Sequence, residues 1–183
     1  RHDGQAVTCE DFVLAMEAGG GVDLNQFRRW YEQAGTPRVT VAMNHDAASK
    51  SVTLTLSQSM APTPGQEQKW PMAIPLRTAL FDRQSGGRGT EQTLMLTEAQ
   101  QDFTFTDVNS APVLSINRGF SAPVIIDAPR SQDELAFLSA HDDDPFARYE
   151  AMQQLMVNAL IDAISGRAVD DAPVVAAIRN TAT

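Results

Sequence analysis

Each of the three histidines in the sequence is followed by an aspartate, in the pairs His2-Asp3, His45-Asp46 and His141-Asp142. Such pairs ligate metal ions in phosphohydrolases, but those sites take further His and Asp ligands from surrounding helices, and this sequence has no spare histidine. In addition, residues 44–46 have the composition of a hairpin turn, in which aspartate is ordinary. We therefore predict no metal ligand among these pairs.

Two other stretches resemble ion-binding segments. Asp142, Asp143 and Asp144 precede Pro145, but a calcium loop needs further oxygen ligands at defined spacing and a turn glycine, which do not follow. Acids before a proline are typical of a helix N-cap and first turn. The segment from Ser85 to Gly89 lacks the Lys-Ser/Thr of a phosphate-binding loop. We predict a helix start for the first stretch and a flexible hairpin tip for the second.

The remaining candidates are one cysteine and a basic-aromatic cluster. Cys9 has no histidine in an evident partnering position, and its place beside a short helix face predicts a small buried residue. Trp30 and Tyr31 offer a stacking surface for a sugar, but they belong to a helical apolar stripe and are predicted to be core, or a contact with a neighbouring domain. Arg28 and Arg29 lie on the other side of that helix, where acids can pair with them. The sequence thus predicts no catalytic, cofactor-binding or metal-binding residue.

Composition narrows the class of protein further. The 183 residues carry 14 basic and 23 acidic side chains, a net charge of −9, which argues against nucleic acid or an anionic membrane as partner. No stretch approaches the ~18 consecutive apolar residues of a membrane span. The single cysteine excludes an internal disulfide and favours a cytoplasmic location.

Residues 1–35 have the periodicity of two helices. Thr8 and Asp11 form a capping-box pattern for the first, and a run of three glycines ending at Gly21 stops it. Asp23 and Gln26 predict the cap of the second helix. Its apolar stripe recurs at i, i+3, i+4 and i+7 and comprises Phe27, Trp30, Tyr31 and Ala34.

From residue 36 to residue 128 the apolar period changes to two. Seven short segments alternate apolar and polar side chains with no helical pattern between them, which predicts a mainly β fold, a seven-stranded immunoglobulin- or fibronectin-like antiparallel β-sandwich. The side chains expected between its two sheets are Val39, Val41, Leu54, Leu56, Ile74, Leu94, Leu96, Phe103, Phe105 and Val124.

Helical patterns return over residues 129–183. Ser131 with Glu134 predicts one helix start, and Asp144 before Pro145 predicts another. Asp171 before a proline predicts a third. The apolar stripe expected for the second of these helices is Tyr149, Met152, Met156, Leu160 and Ala163. Because the sequence has no initiator Met and stops within a helical pattern, we expect a segment of a longer protein.

Several parts of the sequence resemble the bacterial aminopeptidase N family, which are gluzincin-type zinc metallopeptidases. The similarity covers most of the chain in order, and its most specific part runs from Val22 to Pro37. Other matching parts span residues 1–17, 54–58, 62–66, 120–124, 134–142 and 144–151. The resemblance implies three regions: 1–35 as terminal helices of a catalytic domain, 36–128 as a β-sandwich domain, and 129–183 as the start of a C-terminal helical domain.

The resemblance also implies an activity for the longer protein but none for this segment. Such an enzyme uses zinc-activated water to remove N-terminal residues from peptides. No position of this sequence matches the family's H-E-x-x-H, third glutamate ligand, G-x-M-E-N or catalytic tyrosine, so no catalytic or metal residue is carried over. The expected partners are peptides, for the longer protein, and the catalytic and C-terminal helical domains. The alternative is a stand-alone β-sandwich binding or adhesion module, which is expected to expose aromatic side chains on its strands or loop tips.

Overall fold

A computed structural model describes residues 4–168 and 172–181 of the chain. Seven strands form two sheets, as the alternating apolar pattern predicts. The strands are β1 (Arg38–Asp46), β2 (Ser51–Ser59), β3 (Ile74–Phe81), β4 (Gln92–Leu96), β5 (Gln100–Phe105), β6 (Val113–Ile116) and β7 (Ile125–Asp127). The larger sheet has the order β5-β2-β1-β7 and the smaller one the order β4-β3-β6.

Helices flank the sandwich at both ends of the chain. They are α1 (Cys9–Gly20), α2 (Arg29–Glu32), α3 (Gln132–His141), α4 (Pro145–Ile164) and α5 (Ala172–Thr181). A short 3-10 helix, Arg118–Phe120, follows β6. The capping boxes predicted at Thr8 and Ser131 are both present, and Asp144 caps α4. Asp171, predicted to cap the last helix, lies outside the described residues.

Most of the predicted sandwich core is confirmed. Nine of the ten side chains predicted to lie between the sheets are buried in one apolar cluster, and Phe103 is half-buried against it. Val39, Leu54 and Ile74 have no exposed surface. Period-two alternation therefore identified the inner faces of both sheets.

Two predictions about local geometry were wrong. Residues 44–46 do not form a turn, because β1 and β2 remain paired as far as Asp46 and Ser51, so the turn occupies residues 47–50. Also, β7 pairs parallel to β1, which makes the larger sheet mixed where every pairing was expected to be antiparallel. Period-two alternation does not encode the direction in which a strand joins its neighbour.

The second helix also differs from its prediction. Asp23 accepts a hydrogen bond from Asn25 N within a turn, and α2 begins only at Arg29. Gln26 does not form the reciprocal cap, since its Nε2 donates to the carbonyl oxygens of Pro71 and Thr97 in the sandwich. Tertiary hydrogen bonds thus replace the local capping pattern.

A second apolar cluster joins the smaller sheet to helices α3, α4 and α5. Phe81 and Val113 of the sheet are buried against Leu135 and Leu138 of α3, with Leu155 of α4. The buried face of α4 therefore contains Ala151 and Leu155, whereas Tyr149 and Leu160 of the predicted stripe are exposed. No helix within the described residues is long and apolar enough to cross a membrane.

Candidate functional site

Arg118 lies at the contact between the sandwich and the helices that follow it. The 3-10 helix after β6 carries Arg118 into this contact, and its neighbours Asn117 and Gly119 have positive φ angles of 60° and 61°. A Cβ atom at Gly119 would lie 2.6 Å from Arg77 Nη1, the end of a flexible side chain that can shift, so the positive φ angle is the main reason for glycine at this position. The turn thus places an arginine side chain, only 3% exposed, at the boundary of the two units.

Three carboxylates surround the guanidinium of Arg118. Its Nε donates to Glu91 Oε2 at 2.7 Å, its Nη1 to Asp142 Oδ1 at 2.6 Å and its Nη2 to Asp143 Oδ1 at 2.6 Å. Nη1 also lies 3.3 Å from Ser115 Oγ in β6. Glu91 belongs to the sandwich, whereas Asp142 and Asp143 connect α3 to α4, so one side chain binds both units. We call Arg118, Glu91, Asp142 and Asp143 the arginine junction.

Further charged side chains extend the arginine junction. Arg77 of β3 pairs with Glu91 at 2.6 Å, and Arg88 pairs with Asp143 at 3.1 Å. Asp144 Oδ1 accepts hydrogen bonds from Ala147 N, which caps α4, and from Gly119 N. The three consecutive aspartates therefore do more than start a helix: each of them holds the helical unit to the turn that carries Arg118.

The ionisation of the arginine junction follows from these contacts. Burial alone lowers the pKa of Arg118, but hydrogen bonds to Asp143 and Glu91 and the charge of Asp142 raise its pKa above the ordinary value. The pKa of Glu91 is lowered by its hydrogen bond with Arg77 and then by that with Arg118. Burial disfavours the charged form of Asp143, yet its hydrogen bond with Arg118 leaves its pKa below the ordinary value. All three groups are therefore charged at neutral pH.

The connection between β3 and β4, predicted as a flexible hairpin tip, lies against the helices. Arg83 in this connection pairs with Glu134 of α3 at 3.3 Å, and Arg88 pairs with Asp143. Asp82 closes the loop by accepting hydrogen bonds from Ser85 N and Ser85 Oγ at 2.7 and 2.8 Å. The segment from Ser85 to Gly89 thus belongs to the contact between the two units.

A second junction joins the N-terminal helices to the other end of the sandwich. Trp30 is partly buried against the sandwich core, and its Nε1 donates to Ala73 O at 2.9 Å. Arg29 Nη1 donates to Pro71 O. Gln33 exchanges two hydrogen bonds with the backbone of Trp70, at 2.6 and 2.9 Å. Of the two alternatives predicted for this pair, Trp30 takes the core position. Tyr31 is exposed and packs edge-to-face on Phe27, so for Tyr31 the contact with a neighbouring domain stays a prediction.

Arg28 connects α1 to the segment that precedes α2. Its Nη1 and Nη2 pair with Glu17 and Glu10, each at 2.8 Å. The hydrogen bond with Arg28, followed by that from Leu24 N, lowers the pKa of Glu17 from 4.5 to about 2. The expectation that arginines of this pair contact acids is therefore met by Arg28, whereas Arg29 contacts a carbonyl oxygen.

The other candidate residues do not converge on one site. His45 Nε2 lies 3.1 Å from Val108 O, and the ring of His141 packs on Phe137 with centroids 4.7 Å apart. Cys9 is exposed at the start of α1, so the expectation of a buried cysteine was wrong. The pair His2-Asp3 lies outside the described residues. Across residues 4–168 and 172–181, no three His, Cys, Asp or Glu side chains are grouped so as to hold a metal ion.

Sequence reasoning missed Arg118, Glu91 and the role of Asp142. Glu91 and Asp142 lie 27 and 24 positions from Arg118 along the chain, so no local spacing pattern connects them. The only signal in the sequence is the αL-prone Asn117 and Gly119 on either side of Arg118. The arrangement pairs arginines with carboxylates and contains no nucleophile beside a base. Its contacts bond the sandwich to the helical unit.

The fold and the two junctions define a class of protein module: an immunoglobulin-like sandwich bonded to a helical unit at each end. Residues 35–129 match the family described as "Domain of unknown function (DUF3458) Ig-like fold", and residues 132–183 match "Domain of unknown function (DUF3458_C) ARM repeats". The chain belongs to the first of these families, whose Ig-like model covers residues 35–129. Its resemblance to the bacterial aminopeptidase N family is confirmed.

Individual relatives cover most of this chain but only part of their own length. Aminopeptidase N of Escherichia coli K12 is 42% identical over 163 residues, which is 85% of this chain and 19% of that protein. Aminopeptidase N of Haemophilus influenzae is 39% identical over 166 residues, 87% of this chain and 19% of that protein. The crystal structure of Legionella pneumophila aminopeptidase A in complex with aspartic acid superposes with a TM-score of 0.84 at 26% identity, over 96% of this chain and 20% of that chain. The chain spans about a fifth of the length of the curated relatives it matches.

Proposed function

We propose that this chain is a non-catalytic segment of a longer zinc-dependent aminopeptidase that removes N-terminal residues from peptides. In this proposal, residues 1–35 end the catalytic domain, residues 36–128 form the linking sandwich, and residues 129–183 begin the C-terminal helical domain. The sandwich sets the orientation of the two larger domains and thereby the shape of the cavity between them. The zinc site belongs to the catalytic domain outside this chain, and the cytoplasm is the proposed location.

The arginine junction is the observation that carries the linking role. A single loose contact leaves two units free to rotate, whereas a buried cation shared by acids from both units fixes their angle. Arg118 bonds Glu91 of the sandwich and Asp142 and Asp143 of the helical unit within 2.7 Å. The hydrogen bonds from Gln26, Trp30 and Gln33 serve the same purpose at the opposite end.

The absence of catalysis is tested with the 183-residue chain alone. We expect no hydrolysis of an alanyl chromogenic substrate above a buffer control, and no stoichiometric zinc in the purified protein. The reason is that the described His, Cys, Asp and Glu side chains are dispersed, whereas a catalytic zinc site needs three protein ligands around one ion. Hydrolysis that depends on bound zinc would overturn the assignment of all chemistry to the rest of the longer protein.

A further inference from the structure

A cavity of about 490 Å³ lies between the sandwich and α4, apart from the arginine junction. This volume lies within the range of about 300–1,000 Å³ that is usual for sites of small organic ligands. Its walls come from β6, the 3-10 helix, β7, α3 and the part of α4 from Phe146 to Val157. Apolar side chains line much of it, among them Ile116, Ile126, Leu138, Phe146 and Val157.

Arg130 brings a positive charge into this cavity. Its Nε atom is buried and has no hydrogen-bond partner among the described residues. Glu134 and Asp142 both act on its charge, but Glu134 pairs with Arg83 at 3.3 Å and Asp142 pairs with Arg118 at 2.6 Å. Burial lowers the pKa of Arg130, although a guanidinium stays protonated in proteins. A buried guanidinium Nε without an acceptor is costly, so an anion whose oxygen reaches this atom gains a charge-assisted hydrogen bond.

A negative charge and several amides face the same space. Glu150 of α4 lines the cavity and is exposed to solvent, and its charge acts on Arg130. No ion pair within 4.0 Å joins the two side chains in the part of the chain that the structure describes. Asn117, Gln153 and Gln154 add polar groups to the wall. The cavity therefore presents separate positive and negative groups beside an apolar surface.

We propose that this cavity binds a free apolar α-amino acid as its zwitterion. Its carboxylate pairs with Arg130, its ammonium group pairs with Glu150, and its side chain packs against the aromatic pair Phe120 and Phe146, whose ring centroids lie 5.2 Å apart. The acid at the cavity wall and the apolar surface disfavour phosphate and other polyanions. This site goes beyond the proposed peptidase role, since it needs neither zinc nor the rest of the longer protein.

Calorimetric titration of the 183-residue chain with L-leucine tests the proposal, with two analogues that each lack one charge. We expect leucine to bind at millimolar concentration or below. Leucinamide, which lacks the carboxylate, and 4-methylpentanoate, which lacks the amine, should each bind at least about tenfold more weakly, the loss of roughly one charge-assisted contact. Acetate that binds as tightly as leucine would overturn the proposal.

Variants assign the two charges to the two side chains. Arg130→Met should abolish leucine binding, while Glu150→Gln should weaken leucine binding about tenfold and strengthen binding of 4-methylpentanoate, because the repulsion between the two carboxylates is removed. Arg167→Met is the matched control, because Arg167 forms an exposed pair with Asp162 at the far end of α4 and should bind leucine normally. Unchanged leucine affinity in Arg130→Met, or no binding to the unaltered chain at millimolar leucine, contradicts the proposal.

Folding of the variants is checked separately by thermal unfolding. Arg130→Met should still unfold in one cooperative transition, because methionine keeps the apolar stem of the side chain and the substitution removes an Nε atom that has no hydrogen-bond partner among the described residues. Val157→Trp, which fills the cavity from its exposed edge, supplies a second variant with the charges intact and should also lose leucine binding. A folded Val157→Trp protein with full leucine affinity would place the ligand elsewhere.

Discussion

At the scale of single residues, Arg118 and its three carboxylates form the strongest contact between the sandwich and the helices. Arg118 is 3% exposed and Asp142 is fully buried, so their attraction is little screened by water. Asp142 Oδ1 accepts hydrogen bonds from Arg118 Nη1 and Asp144 N, and Oδ2 has no hydrogen-bond partner among the described residues, so Arg118 is the cation paired with this carboxylate. Loss of the arginine side chain therefore leaves a buried carboxylate without its cation.

Arg118→Met should lower the free energy of unfolding by about 3–5 kcal/mol, the usual cost of removing one partner of a buried ion pair. Urea denaturation of the chain at neutral pH measures it. Arg167→Met removes an exposed pair with a side chain 60% exposed and should cost under about 1 kcal/mol. Equal small losses in both variants would show that the arginine junction does not hold the sandwich and helices together.

The same residues show how far the sequence can be interpreted. Asp144 was predicted as an N-cap because it precedes Pro145, and the capping hydrogen bond from Ala147 N spans only three residues, within one helical turn. Asp142 and Arg118 are 24 positions apart and belong to different structural units. The residues around neither of them form a pattern that predicts this contact. Cys9 was predicted to be buried in α1 but is exposed. This helix is short and buries a single residue, Val13, so its apolar periodicity is too weak to identify the buried face.

Among the secondary-structure elements, the strands were predicted best because apolar side chains recur at every second residue over several of them, as the burial pattern of β2 shows. Leu54 in β2 has no exposed surface, whereas its register partner Met43 in β1 is 38% exposed. Leu54→Ala should therefore cost about 2–5 kcal/mol in chemical denaturation. Met43→Ala, the control, should cost under about 1 kcal/mol. A loss below about 0.5 kcal/mol for Leu54→Ala would place this face of β2 in solvent.

Short elements were predicted less well because tertiary contacts outweigh their local patterns. The four residues of α2 are too few to be stable without the sandwich, and Gln26 bonds to Pro71 and Thr97 instead of capping the helix. The stripe of α4 was displaced by one position because apolar residues surround much of that helix. The buried face, with Ala151 and Leu155, is selected by contact with α3 and Phe81.

The attachment of α1 should depend on pH. The pKa of Glu17 is about 2 in the folded chain, below its ordinary value of 4.5. A lowered pKa means that the pair with Arg28 stabilises the fold fully above pH 4.5 and loses this effect as the pH falls towards 2. Arg28→Met should therefore reduce amide protection in α1 at neutral pH, with a difference from the unaltered chain that shrinks between pH 4.5 and 2. A difference of the same size at both ends of this range would contradict the assignment.

At the scale of the whole molecule, the sandwich lies between two helical units and is joined to each of them by hydrogen bonds. Apolar side chains remain exposed on the outer helices, including Phe12 and Met16 of α1 and Leu160 and Ile164 of α4. Exposed apolar patches of this kind are typical of surfaces that contact other domains. We propose that these patches contact the other domains of the longer protein. The zinc-dependent activity and the domain orientation are likewise proposals about that longer protein.

We propose that the arginine junction sets the geometry in which the longer protein works. Its most direct test is kcat/KM of the longer protein with Arg118→Met, measured on an alanyl chromogenic substrate together with its zinc content. We expect a loss of about tenfold or more, because small displacements of positioning elements reduce catalysis strongly. Zinc content should equal that of the unaltered protein, and Arg167→Met should retain full activity. Unchanged kcat/KM in a folded Arg118→Met protein would contradict the account.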